Sequence, residues 1–138
     1  FHPNGRTCLA LDENGVLHNV DVASGTTTAM PLEYPGYGVP RLIDAAFAPD
    51  GRRFYATGAV NGKIGLFSCT SNARGEYLAL IPLMDAWDCE HVQILGFVGE
   101  YLYLVLDHAT IIRHSRRTKK SDHVFTGGGR ITAACILP

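Results

Sequence analysis

The chain has 138 residues, 46% of them hydrophobic and 18% charged, which is enough apolar material for one core and excludes a disordered polyelectrolyte. Twelve Lys and Arg against thirteen Asp and Glu leave a formal net charge of −1, so the whole molecule has no general attraction to nucleic acid or anionic lipid and any such role is local. The longest apolar runs, such as Tyr101 to Leu106, fall far short of the roughly 18 residues that a bilayer-spanning helix needs, and no membrane span is expected.

The chain opens at Phe1 with no Met, basic n-region or apolar leader, which reads as a processed or trimmed piece. After the turn residues Phe1 to Arg6 come three runs rich in β-formers, Thr7 to Leu11, Gly15 to Val22 and Thr26 to Leu32. Asn14-Gly15 lies between the first two, and Asn-Gly between β-patterned runs is the strongest short-range hairpin signal, because both central residues of a type I′ turn need positive φ. Tyr34 to Pro40 is an aromatic, Gly- and Pro-rich connection whose Tyr34 and Tyr37 are candidates for a protein interface. The plainer alternative is a rigid loop whose tyrosines pack back on the strands.

A second set follows: Leu42 to Ala48, Arg53 to Ala59, Lys63 to Cys69 and Glu76 to Met84, separated by Pro49-Asp-Gly51, Asn61-Gly62 and Ser71 to Gly75. The next connection, Asp85-Ala-Trp-Asp-Cys-Glu-His91, gathers carboxylates, a thiol and an imidazole. Asp85, Asp88 and His91 could in principle ligate a metal, but a lone Cys-x-His beside carboxylates lacks the regular four-ligand spacing of zinc sites, and a hydrogen-bonded polar turn explains it as well. Trp87 is a further interface candidate.

A third set runs Val92 to Val98, Tyr101 to Leu106, Thr110 to Ser115 and His123 to Thr126, and Arg130 to Leu137 reads as the start of another. Arg113, Arg116, Arg117, Lys119 and Lys120 place five of the twelve positive charges in eight residues. This cluster is a candidate for phosphate or partner binding, through nucleic acid or a phosphoinositide, although no aromatic is interleaved to stack a base. A solvated hairpin tip is the simpler explanation.

The three sets are a repeat. Phe1-His-Pro-Asn-Gly-Arg6 recurs as Phe47-Ala-Pro-Asp-Gly-Arg52, a shift of 46, and the two Asn-Gly turns are 47 apart. Phe97 to Glu100 and Asp107 to Thr110 stand at the matching places of a third unit without its Gly-rich turn. Four-stranded antiparallel meanders repeating every forty-odd residues are the blade pattern of a β-propeller. The expected fold is therefore all-β, about three blades over approximate units 1–40, 41–90 and 91–138, belonging to a partial or longer propeller.

The strings Ile43-Asp-Ala-Ala-Phe-Ala-Pro-Asp-Gly51 and Asp12-Glu-Asn-Gly-Val-Leu-His-Asn-Val-Asp21 resemble a divergent WD-repeat propeller, whose blades carry a hydrophobic strand ending Phe-Ser-Pro-Asp-Gly. Where that family closes its third strand with Trp-Asp, this chain has Val20-Asp21, Phe67-Ser68 and His114-Ser115. The resemblance implies propeller blades acting in a multiprotein assembly.

No Gly-x-Ser-x-Gly elbow occurs, the six histidines show no triad partner in the sequence, and Gly127-Gly-Gly129 precedes no helix pattern. The first unit's own first strand survives only as Phe1, so His18 and His114 fall within third strands of the repeat and are expected to be satisfied, partly buried imidazoles. Four cysteines without a C-x-x-C pair read as packed thiols in an intracellular protein, cytoplasmic or nuclear. The expectation is a non-enzymatic protein–protein interaction scaffold without cofactor, whose partners are other protein chains, one of them completing the ring. Binding of nucleic acid or anionic lipid through Arg113 to Lys120 is the first alternative, and a metal-dependent propeller hydrolase near Asp85 to His91 the second.

Overall fold

The computed structural model describes residues 1–34, 40–83, 87–131, 134 and 136. They form eleven strands in three antiparallel sheets, and among them is no helix long and apolar enough to cross a membrane. The first sheet orders β1 (Thr7–Leu11), β2 (Leu17–Asp21) and β3 (Thr27–Ala29). The second orders β4 (Arg41–Phe47), β5 (Arg53–Val60), β6 (Lys63–Thr70) and β7 (Ile81–Pro82). The third orders β8 (Val92–Val98), β9 (Tyr101–Leu106), β10 (Thr110–Ser115) and β11 (Ser121–Thr126). Each sheet is a meander in sequence order, the blade topology expected from the repeat.

Two elements depart from expectation. The fourth strand of the middle unit, expected over Glu76 to Met84, is only Ile81–Pro82, because ahead of it Leu78 and Leu80 exchange backbone hydrogen bonds with Glu33 rather than with β6. Of the expected strand Arg130 to Leu137, the described residues lie in no strand.

The turns that follow the repeat's second strand, which are β1, β5 and β9 in the three sheets, differ in kind. Asn61 and Gly62 have φ of 51° and 75°, the paired positive values of a type I′ hairpin. The Asn14-Gly15 turn is different: only Gly15 has positive φ, and the turn is organised by Asp12, whose Oδ1 accepts the N–H groups of Asn14 at 2.9 Å and Val16 at 3.0 Å. In the third unit Asp107 and His108 adopt φ of 47° and 60°, so the hairpin geometry persists on two residues that both carry a Cβ.

Two apolar clusters flank the middle sheet. Phe54 and Ala56 of β5, with Phe67 and Cys69 of β6, face the first sheet and meet Leu17, while Tyr55, Ile64 and Leu66 face the third and meet Leu102, Leu104 and Ile112. Side chains alternate across a strand, so a sheet packed on both faces is apolar at nearly every position. In β4 and β8 that alternation is interrupted by a bulge, between Leu42 and Asp44 and between Ile94 and Gly96. The extra residue shifts the phase, which lets Leu42 and Phe47 share one cluster, and Ile94 and Phe97 the other. It also aims Asp44 at β8, where its Oδ2 accepts the Ile94 N–H at 2.7 Å.

Candidate functional site

One end of the stacked sheets carries the turns at residues 12–16, 61–62 and 107–108, together with the connections that enter β4 and β8. Because all three second-to-third-strand turns emerge there, the repeat delivers one polar turn per sheet to a common surface. Two adjoining clefts of about 570 and 580 Å³ open on it, sharing Gly62, Cys89, Glu90 and His91. The first is walled by Asp12, Glu13 and Arg41, the second by Asp88 and Asp107.

Close approach of the backbone builds this surface. A Cβ on Gly15 would stand 2.6 Å from Arg41 Cγ and 2.7 Å from the Leu42 carbonyl oxygen, so only glycine lets the first turn pack against the entry of β4. There the Leu42 N–H donates to the Gly15 carbonyl at 3.1 Å, and Arg41 Nη2 donates to the Glu13 carbonyl at 3.3 Å. Asp12 also pairs with His18 Nε2 at 3.0 Å. The His18 bond first, then the Val16 N–H, holds the Asp12 carboxyl below its ordinary range.

On the other side Asp107 Oδ1 accepts the backbone N–H groups of both Glu90 and His91 at 2.8 Å. Asp107 thereby fixes the segment that presents Glu90 and His91. The His91 and His108 rings lie 5.3 Å apart. Positive φ at a residue with a Cβ costs about 1–3 kcal/mol and concentrates at functional sites, and Asp107 and His108 both bear it here.

Among the described residues, no group of three or more His, Cys, Asp and Glu is placed to hold a metal ion. Asp88 and His91 line the cleft, whereas Asp85 lies outside the described residues. Burial, with the Asp107 and Asp88 charges, pushes the Cys89 thiol up to about 11. It therefore stays protonated near neutral pH, which disfavours it as a nucleophile. The arrangement instead offers carboxylates and imidazoles opposite one guanidinium: groups that take hydrogen bonds from hydroxyls, move a proton, and stabilise developing negative charge.

No protein-family model and no curated protein matches the sequence. Solved structures do match. The chain is similar to provisionally named 6-phosphogluconolactonases from Bacteroides uniformis (15% identity, TM-score 0.58, 95% of this chain and 40% of that one) and Bacteroides fragilis (16%, 0.58, 95% and 39%). It is also similar to an auxiliary nutrient binding protein from Bacteroides thetaiotaomicron (12%, 0.60, 88% and 34%). The fold is that of β-propeller blades. At these identities the likeness concerns the fold, and the chain spans about two fifths or less of the length of these neighbours. The expectation of a non-enzymatic interaction scaffold is corrected here: two of the three neighbours carry an enzyme's name and none is named as a scaffold.

The interface candidates fall elsewhere. Tyr34 is half-buried against the first cluster, edge-on to Phe67 with ring centroids 5.2 Å apart. Tyr37 lies outside the described residues. Trp87 packs on the second cluster and exchanges backbone hydrogen bonds with Ile64 at 2.7 and 3.1 Å, extending the middle sheet beside β6.

The basic run is divided by its partners. Arg113 pairs with Asp122 at 2.9 Å and lies 4.7 Å over the Tyr101 ring, and Arg117 pairs with Glu100 at 3.1 Å. Arg116, Lys119 and Lys120 form no ion pair among the described residues. The cleft residues escaped sequence reasoning because Asp12, Arg41 and Glu90 sit in unrelated contexts along the chain. The one available signal was repeat phase: Arg41 and Glu90 lie about one repeat apart, and Asp12 and Asp107 about two.

Proposed function

We propose that the protein is a propeller hydrolase that opens a cyclic ester of a sugar acid in the cleft between Arg41 and His91. The observation that carries the reading is the anchoring of both Glu90 and His91 by Asp107 at 2.8 Å, facing Arg41 across a polar cleft of substrate size. The names of two structural neighbours support it.

Glu90 or His91 takes a proton from water, whose oxygen attacks the lactone carbonyl, and the Arg41 guanidinium stabilises the resulting oxyanion. Collapse breaks the ring C–O bond, and the leaving alkoxide recovers the proton from the same base. Asp12, Glu13, Asp88, Glu90 and Asp107 outnumber Arg41, so the face accepts hydrogen bonds from sugar hydroxyls and repels a phosphate dianion. An uncharged sugar lactone without a phosphate is thus the favoured substrate.

About 131 aligned residues make up 40% of one neighbour, a chain of about 330 residues, or roughly seven units of this repeat length. A ring of that size, completed by further blades, is the proposed context. The finer likeness to WD-repeat blades rests on the strings at 12–21 and 43–51. An intracellular location is likewise a proposal, supported by Cys8, Cys69 and Cys89 being free thiols.

The test is pH-stat hydrolysis of glucono-δ-lactone, with gluconate binding followed by NMR. Wild-type protein is expected to turn the lactone over, and Glu90→Gln and His91→Ala to lower kcat/KM by about 100-fold. Absence of both turnover and gluconate-induced shifts at Arg41 and His91 overturns the reading.

A further inference from the structure

The opposite end of the stack carries a second cleft, of about 220 Å³, where the middle and third sheets meet. Arg52 and Arg53 reach it from the start of β5 and Arg116 from the turn after β10, with Asp50 as the single carboxylate in its wall.

The arginines are held there by neutral partners. Arg53 Nε donates to Thr70 Oγ1 at 3.0 Å. Arg116 donates to the Gly99 and Glu100 carbonyl oxygens and lies 5.4 Å over the Phe97 ring. Among the described residues no carboxylate comes within ion-pair distance of Arg52, Arg53, Arg116 or Lys119. Glu100, the nearest candidate for Arg116, is engaged by Arg117 and Ser115. Burial first, then the charges of Arg53 and Arg116, lowers the pKa of the Lys119 ammonium. Cations gathered from two separate sheets with no carboxylate in ion-pair distance repel one another, and an anion seated among them removes that cost.

We propose that this cleft binds the phosphate group of a small free phosphate compound. The guanidinium groups of Arg52 and Arg53 line the cleft from the middle sheet, and Arg116, oriented by its two carbonyl contacts, presents its remaining charge from the third. The volume lies below the roughly 300 Å³ at which drug-sized pockets begin and suits one phosphate group rather than a whole nucleotide. Arg113 and Arg117, prominent in the sequence run, take no part because Asp122 and Glu100 already neutralise them. The site is on the face away from the acid-rich cleft, so its success or failure is independent of the lactonase reading.

The probe is inorganic phosphate, titrated into the chain in low-salt buffer by calorimetry, with backbone amide shifts followed at Thr70 and Arg53. Saturable binding is expected, weakened about five- to tenfold by Arg53→Gln and by Arg116→Gln, changed less than twofold by Arg113→Gln and Arg117→Gln, and largely restored by Arg53→Lys. Circular dichroism of each variant reports whether the fold is kept. A parallel sedimentation with phosphoinositide-containing vesicles separates a free phosphate from a lipid headgroup, and no co-sedimentation is expected. No saturable phosphate binding, an equal loss in Arg113→Gln, or vesicle binding that phosphate does not displace overturns the proposal.

Discussion

Gly15 and Gly62 hold matching places in successive repeats and share a φ of 75°, but their surroundings differ. A Cβ at Gly62 meets nothing within 4 Å, whereas one at Gly15 collides with Arg41 and the Leu42 backbone. Gly62→Ala is expected to cost only the backbone strain, about 1–3 kcal/mol, and Gly15→Ala distinctly more; urea unfolding of both variants measures the difference. His114 is the residue through which pH acts on stability. It is fully buried, its Nδ1 bonds Ser121 Oγ at 2.9 Å, and its Nε2 has no hydrogen-bond partner among the described residues. Burial first, then the Lys119 charge, lowers its pKa from the ordinary 6.5. The unfolded chain therefore binds a proton that the folded one resists, and stability falls as pH drops below about 6.5. The thermal midpoint is expected to fall further between pH 7.5 and 5.5 in wild type than in His114→Phe; equal slopes would show that other groups govern the acid limb. The sequence placed His114 correctly inside a third strand. Its missing partner was not legible there, because hydrogen-bond satisfaction depends on what the neighbouring strand brings alongside.

Strands whose burial follows from local pattern were read to the residue: β1, β8, β9 and β10 match their expected ranges. The bulges in β4 and β8 were not foreseen, since an extra residue in an apolar run leaves no mark in composition. Yet they set the contact between first strands by turning Asp44 toward β8. Asp44 Oδ1 accepts its neighbour Ala45 N–H at 2.8 Å and Oδ2 the Ile94 N–H at 2.7 Å, while burial raises its pKa against these two bonds. A raised carboxyl pKa means that ionisation costs stability as pH rises through it, but removing the acceptor leaves the Ile94 amide unpaired. Hydrogen bonds to charged groups contribute about 1.5–3 kcal/mol, and Asp44→Ala is expected to lose an amount in that range by urea unfolding, with faster exchange of the Ile94 amide. Unchanged exchange there would show that the two first strands are held by apolar packing alone.

At the scale of the molecule, a net charge of −1 conceals two faces of opposite character. The turn surface around Glu90 and His91 is acid-rich, and the far end around Arg53 and Arg116 is basic. The separation follows from the meander. Successive turns alternate between the two ends, so residues four dozen apart become neighbours while residues ten apart are sent to opposite faces. The middle sheet, packed on both sides, supplies the rigid frame that holds the two clefts apart. The outer sheets leave apolar side chains such as Val98, Val124 and Phe125 about half exposed.

By itself the sequence determined the all-β class, the repeat of about 47 residues and most strand positions, because alternation, turn residues and repeat phase are local quantities. Only the tertiary structure decided which charges survive pairing and which side chains converge. Arg113 and Arg117 are cancelled by acids, Arg116 meets Arg53 of another sheet in one cleft, and Asp107 reaches back to fix Glu90 and His91. Pairing and convergence depend on distances between sheets, and those are set by the packing of the two apolar clusters rather than by any stretch of neighbouring residues.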